Sequence, residues 1–229
     1  MTDIPLTDFL YYLQALIFPE RCPYCNNLIE PKEIACESCM KKLEERQRPL
    51  TGGALGFRCL SSFHYKGSVR RAIVNLKFFE RTQYIPQMAV ILAADIRQVY
   101  GEGAFDLITA VPMYKTDRIK RGYNQSELIA KAVGKLLDLP YLETLEKIKK
   151  TKKQHTLKYA KRKHNLDGAF QVINNEEIHQ KRILIVDDIV TSGYTLGKCC
   201  RIINRARPKT LCCATLAAAR NYYEGGASI

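Results

Sequence analysis

Hydrophobic positions along the chain change period several times, and each change marks an element. Residues 61–65 read as a strand, Gly67-Ser68 as a turn and cap, and residues 69–79 as a helix. A second helix is predicted over 86–100, and a strand over 105–111 that ends at Pro112. Residues 124–137 place Leu128, Ile129, Ala132, Val133 and Leu136 on one helical face. Shorter strands are expected at 139–143 and 169–173. The clearest run is Ile183-Leu184-Ile185-Val186, branched and apolar throughout and bounded by polar turn residues, as in a strand buried on both faces. Leu196, Cys199, Cys200 and Ile203 follow at helical spacing, and residues 210–219 form the next apolar run. Strands alternating with helices predict an α/β fold with a doubly wound, mostly parallel sheet.

The amino-terminal part is patterned differently. Leu6, Phe9, Leu10, Leu13, Leu16 and Ile17 sit at helical spacing, as in a short amphipathic helix packed on its own protein. Residues 1–20 carry Asp3, Asp8 and Glu20 but no Lys or Arg, which argues against a secretory signal. No apolar run in the sequence is long enough to span a bilayer. Pro49, Gly52, Gly53 and Gly56 make residues 48–56 read as a linker. The expected organisation is therefore a small unit over 1–50 and a larger domain over 57–221.

Cysteine usage sharpens this division. Cys22-Pro23-Tyr24-Cys25 and Cys36-Glu37-Ser38-Cys39 are paired CxxC knuckles. Such turns deliver thiolates two at a time to a tetrahedral, structural zinc site, and a segment this short needs a metal to fold. One CxxC alone would also suit a redox motif; a pair outside any βαβ pattern favours zinc. Cys59, Cys199, Cys200, Cys212 and Cys213 read as core residues, with Cys59 standing alone. Nine cysteines without a secretory signal fit a reducing compartment, so a cytoplasmic location is expected.

Candidate chemistry concentrates after the apolar run at 183–186. Asp187 and Asp188 can accept hydrogen bonds from a pair of sugar hydroxyls. Thr191, Ser192, Gly193, Tyr194 and Thr195 then form a hydroxyl-rich loop at a helix start, where free N–H groups and the helix dipole favour a phosphate. A second candidate follows Val111-Pro112, where Lys115, Arg118, Lys120 and Arg121 precede Gly122-Tyr123-Asn124-Gln125. These cations can neutralise a pyrophosphate, or simply form a solvated turn. A third is the segment 147–163, with nine Lys or Arg and no acid. Lys149, Lys150, Lys152, Lys153, Lys158, Lys161, Arg162 and Lys163 lie in it, and Tyr159 offers a ring for stacking. The net charge of +13 suggests a polyanionic partner.

The segment 183–195 resembles the PRPP-binding motif of type I phosphoribosyltransferases. That resemblance implies that Asp187 and Asp188 hold the ribose hydroxyls while the loop holds the 5′-phosphate. It also implies Mg²⁺ bound with PRPP, and a closing loop at 147–163 in which Arg162 and Lys163 act on the leaving pyrophosphate. The combination narrows to the ComF family: the cysteine ribbon, Tyr65-x-Gly67-x-Val69-Arg70 with Leu76-Lys77-Phe78, Arg121-Gly122-Tyr123-Asn124-Gln125, Gln154-x-x-Leu157 with Arg162, Asn165 and Gly168-Ala169-Phe170, and the PRPP motif. It implies a role in natural transformation, with single-stranded DNA handled in the cytoplasm beside the family's helicase-like ATPase. The alternative is an active phosphoribosyltransferase acting on an unidentified nucleophile, with no DNA role. Met1-Thr2 offers no amino-terminal cysteine for a glutaminase half. Salt dependence separates the readings, because strand binding through the basic run would weaken steeply with salt.

Overall fold

A computed structural model describes residues 19–30, 32–45, 49–54, 56–151, 166 and 168–219. The amphipathic pattern at 6–17 lies outside the described residues. So do Lys152, Lys153, Lys158, Tyr159, Lys161, Arg162 and Lys163.

The central sheet has the order β1-β2-β7-β6-β3. Its strands are β1 (Leu50–Ala54), β2 (Phe57–His64), β3 (Leu107–Ala110), β6 (Arg182–Val190) and β7 (Thr210–Ala218). β1 pairs antiparallel with β2, and every other pairing is parallel. The segment read as a linker is therefore strand β1. Its glycines hid a strand that pairs with the neighbour it turns back onto, with Gly56 at a φ of 94° in the turn. A separate hairpin joins β4 (Leu145–Lys147) to β5 (Phe170–Val172). The strand expected at 139–143 is reduced to a single parallel bridge between Ile108 and Tyr141, and the paired strand lies just beyond it.

Helices cover both faces, which explains why β6 and β7 read as continuous apolar runs. On one face lie α2 (Gly67–Phe78), α3 (Ile85–Tyr100) and α5 (Gln125–Leu137), packed in one apolar cluster with Leu60, Ile108, Leu184 and Ala214. The cysteine ribbon, with α1 (Glu37–Glu44), joins the same cluster through Tyr24, Ile29 and Leu43. On the other face, α7 (Tyr194–Ile203) packs with β1 and β5 through Leu196, Cys199, Cys200 and Ile203. Gly134 permits a close approach, since a Cβ there would lie 2.8 Å from the Leu139 carbonyl oxygen and 2.9 Å from Ile108 Cγ2. Cys59 is not alone: it stands opposite Cys213 in the β2–β7 register, and Cys213 Sγ lies 3.3 Å from Cys200 Sγ inside the core.

The order in which strands join the sheet reverses between β3 and β6, which run parallel. From β3 the chain crosses by α5 to the sheet edge at Tyr141. It then returns through the β4–β5 hairpin and α6 (Asn175–Ile178) to β6, and continues by α7 to β7. The segments leaving β3 and β6 thus run to opposite faces. They leave a crevice at the carboxyl ends of the two strands, the position where open α/β sheets bind ligands.

Candidate functional site

The crevice is floored by the acid pair. β6 does not stop at Val186 as its apolar run suggested; it continues to Val190, held by β7, so Asp187 and Asp188 lie within a strand. β3 pairs with β6 only as far as Ala110 and Val186. The edge of β6 beyond that point is met by the start of α5. Asn124 caps α5 by accepting from the Ser126 N–H at 3.1 Å, and its amide donates to the Val111 carbonyl at 3.0 Å. This brings the Ser126 hydroxyl to Asp187 Oδ1 at 2.7 Å.

Alternating strand direction separates the acids, so Asp187 is half-buried while Asp188 is buried at 3% exposure. Lys77, near the end of α2, reaches Asp188 Oδ2 at 2.8 Å. Among the described residues, the two acids thus share one close cation. Burial, with Asp188 adjacent, pushes the Asp187 carboxyl up to about 7. Lys77 is held above the ordinary lysine value by Asp188, against the opposing effect of its own burial. Lys77 occurred in the sequence only as part of a matching motif, and its helix gave no signal that this side chain turns inward to an acid.

The loop after β6 delivers the phosphate-type groups. Gly193 has a φ of 71°, a left-handed conformation that starts α7 at Tyr194. Tyr194 and Thr195 consequently belong to the first helical turn and not to the loop. Thr191 is exposed, and Ser192 Oγ is buried without a hydrogen-bond partner among the described residues. A buried, unanswered hydroxyl beside free helix N–H groups fits an oxyanion donor set.

The basic segment after β3 is a short helix, α4 (Lys115–Arg121), closed by Gly122 at a φ of 82°. Lys115 and Lys120 are exposed. Arg118 is engaged: its guanidinium lies 3.1 Å from buried Glu127 and 3.7 Å from Glu143. Arg121 donates to Gln125 Oε1 at 2.5 Å. A cavity of about 230 Å³ lies here, lined by Lys115, Arg118, Asn124, Glu127, Tyr141 and Lys147 among others. Lys147 lies over the Phe170 ring at 5.7 Å, and burial lowers its ammonium below the ordinary value. Of the basic run, Lys149 and Lys150 are described and exposed.

The ribbon site is assembled from its turns. Cys22, Cys25, Cys36 and Cys39 place their sulfurs all within 4.8 Å of one another, with Cys25 and Cys36 3.4 Å apart. Tetrahedral zinc with bonds of about 2.3 Å separates its sulfurs by roughly 3.8 Å, so this donor set fits zinc. The first knuckle closes through Asn26 N–H to the Cys22 carbonyl at 2.9 Å, and the second through Cys39 N–H to the Cys36 carbonyl at 2.9 Å.

Residues 124–225 match the family described as the phosphoribosyl transferase domain. The chain is 24% identical to Competence protein F of Haemophilus influenzae over 189 residues, 80% of this chain and 78% of that one. It is 26% identical to the DNA utilization protein YhgH of Escherichia coli K12 over 188 residues, again 80% and 78%. With Competence protein ComFC of Bacillus subtilis it shares 22% identity over 193 residues, 74% of this chain and 77% of that one.

Proposed function

We propose that this protein, which resembles the ComF relatives and joins a type I phosphoribosyltransferase fold to an amino-terminal four-cysteine cluster, binds Mg²⁺·PRPP and handles single-stranded DNA in the cytoplasm during DNA uptake or use. The observation that carries the ligand is the meeting, at the β3–β6 crevice, of the Asp187–Asp188 pair with the Ser192–Gly193 start of α7. The DNA role rests on the names of the relatives, a competence protein and a DNA utilization protein, and on the net charge of +13.

Asp187 and Asp188 would take the ribose hydroxyls and lie near the metal. Ser192, Thr191, Thr195 and the first N–H groups of α7 would take the 5′-phosphate. Mg²⁺, when bound, neutralises diphosphate charge. Lys77 already neutralises part of the acid pair, which keeps a floor of two adjacent carboxylates compatible with an anionic ligand. The exposed Lys115 and Lys120, with Lys149 and Lys150, extend positive potential from the crevice toward solvent. The four-cysteine cluster would hold a structural zinc, which supplies the ribbon's folding free energy.

Calorimetric titration of PRPP with Mg²⁺, beside the Asp187→Asn/Asp188→Asn variant, tests the ligand. Binding that the variant loses supports the reading; no binding by folded, zinc-loaded protein overturns it. Titration of single strands across a salt series tests the DNA role, with a steep loss of affinity expected as salt rises. A transferase with no DNA role would instead bind PRPP, release pyrophosphate with an acceptor and ignore the strand. Metal analysis of purified protein should find about one zinc per chain.

A further inference from the structure

Helix α2 ends in adjacent phenylalanines turned to water, Phe78 at 62% and Phe79 at 64% exposure. Scattered exposed apolar residues need no explanation, but neighbouring aromatic rings beside cations form a specific kind of surface. The Arg121 guanidinium lies 5.8 Å from the centroid of the Phe78 ring. Arg121 ends α4, whose Lys115, Arg118 and Lys120 are exposed and whose Ile119 adds a further open apolar side chain at 70% exposure. Arg81 is exposed just past the phenylalanines, and the exposed acids of these two segments are Glu80 and Asp117.

The relation between the rings and α4 is fixed. The Tyr123 hydroxyl donates to the Leu76 carbonyl, tying the segment after α4 to the last turn of α2. Arg121 is steadied by Gln125. Lys77, between Leu76 and Phe78, points the other way, into the acid pair. The rings therefore sit at the lip of the crevice, one residue from its floor.

We propose that Phe78 and Phe79, flanked by Arg121 and the exposed lysines of α4, form a base-stacking platform for single-stranded nucleic acid at the lip of the phosphoribosyl crevice. Bases of a single strand expose flat faces that stack on aromatic rings, while their phosphates need cations within reach; this surface supplies both. A duplex keeps its base faces stacked inside, so the rings have little to offer it. The proposal rests on the single-strand reading above and moves its contact surface from the basic run at 147–163 to the end of α2 and to α4.

The chain contains no tryptophan, so Phe78→Trp installs a unique reporter. Its fluorescence should be quenched by oligodeoxythymidylate. Anisotropy with a labelled strand should show Phe78→Ala/Phe79→Ala binding roughly 10- to 100-fold more weakly, given about 1–3 kcal/mol of stacking per base. Phe78→Tyr should bind like the parent, and Phe78→Leu should lose most of what alanine loses. Thermal melting and Mg²⁺·PRPP titration should be unchanged in these variants, which excludes a folding defect. Parent protein that does not bind single strands overturns the DNA reading and the platform together. Binding that survives in the double alanine variant, is restored by leucine, or falls equally for duplex overturns the platform alone.

Discussion

The two ends of strand β6 carry charges arranged on opposite principles. At the amino end, Arg182 donates to Asp106 from its backbone N–H at 2.7 Å and from its guanidinium at 2.6 and 3.1 Å, with a further bond to the Gly103 carbonyl at 2.7 Å. That arrangement holds the Asp106 carboxyl down to about 2. At the carboxyl end, Asp187 is pushed up to about 7, and the acid pair has Lys77 as its close cation. One end is saturated with partners and serves the fold. The other is left with surplus acid and an unanswered Ser192 hydroxyl, a configuration that a ligand completes and the free protein tolerates at a cost.

The largest test of that contrast is ligand affinity. Asp187→Asn/Asp188→Asn should weaken Mg²⁺·PRPP by at least about 100-fold in calorimetry, since hydrogen bonds to charged groups are worth roughly 1.5–3 kcal/mol each. Asp187→Asn alone, which leaves the Lys77–Asp188 pair in place, should not lower the melting temperature of the free protein. A loss of fold would mean that the acids are structural after all.

Lys77→Met comes next. Removing the close cation from a largely buried pair should cost about 3 kcal/mol in denaturant unfolding at pH 8. The deficit should shrink as pH falls below about 7, because protonation of Asp187 removes one of the charges left uncompensated. An equal deficit at both pH values would assign the effect to packing.

Asp187→Asn alone should act in the opposite direction. The folded carboxyl titrates near 7, above its unfolded value, so the native state binds the extra proton between them. Stability from this group therefore falls as pH rises through that window, and the cost is complete above it. The asparagine variant should gain about 1–2 kcal/mol at pH 8 and nothing near pH 4, read as unfolding curves at each pH. No gain at pH 8 would refute a surplus of acid.

The smallest effect belongs to the amino end. Asp106 is depressed in the folded state, so its contribution is present above the unfolded carboxyl value and lost as pH falls toward 2. Asp106→Asn should lower the melting temperature by no more than about 3 °C at neutral pH and leave it unchanged near pH 2, because this ion pair is partly open to water.

What was legible in the sequence follows from which interactions are local. The strand–loop–helix at 183–195 and the paired CxxC knuckles are contiguous, so periodicity and spacing exposed them directly. β1 was not legible, because glycine and proline suppress the strand signal and its pairing with β2 is a property of the hairpin, not of residues 48–56. The extension of β6 through its acids was hidden for a related reason: polar residues usually end strands, and only β7 keeps this one going to Val190. Ser126 and Lys77 lie far from Asp187 and Asp188 along the chain, and helical faces alone do not say which strand they approach. The cationic segment at 115–121 was visible as charge, yet its helix and the engagement of Arg118 by Glu127 and Glu143 depend on tertiary approach.

The ribbon shares its apolar cluster with the main domain: Tyr24 meets Phe63 edge-on at 6.2 Å, and Ile29 and Leu43 join the residues that back β2 and α2. If the four thiols hold a metal, its loss would do more than release an appendage. It would uncover greasy surface on the body it leaves behind, the kind of surface that chaperones hold and proteases open. Metal supply would then govern how long each copy survives in the cell, making abundance, before any change in activity, the first quantity to register metal starvation.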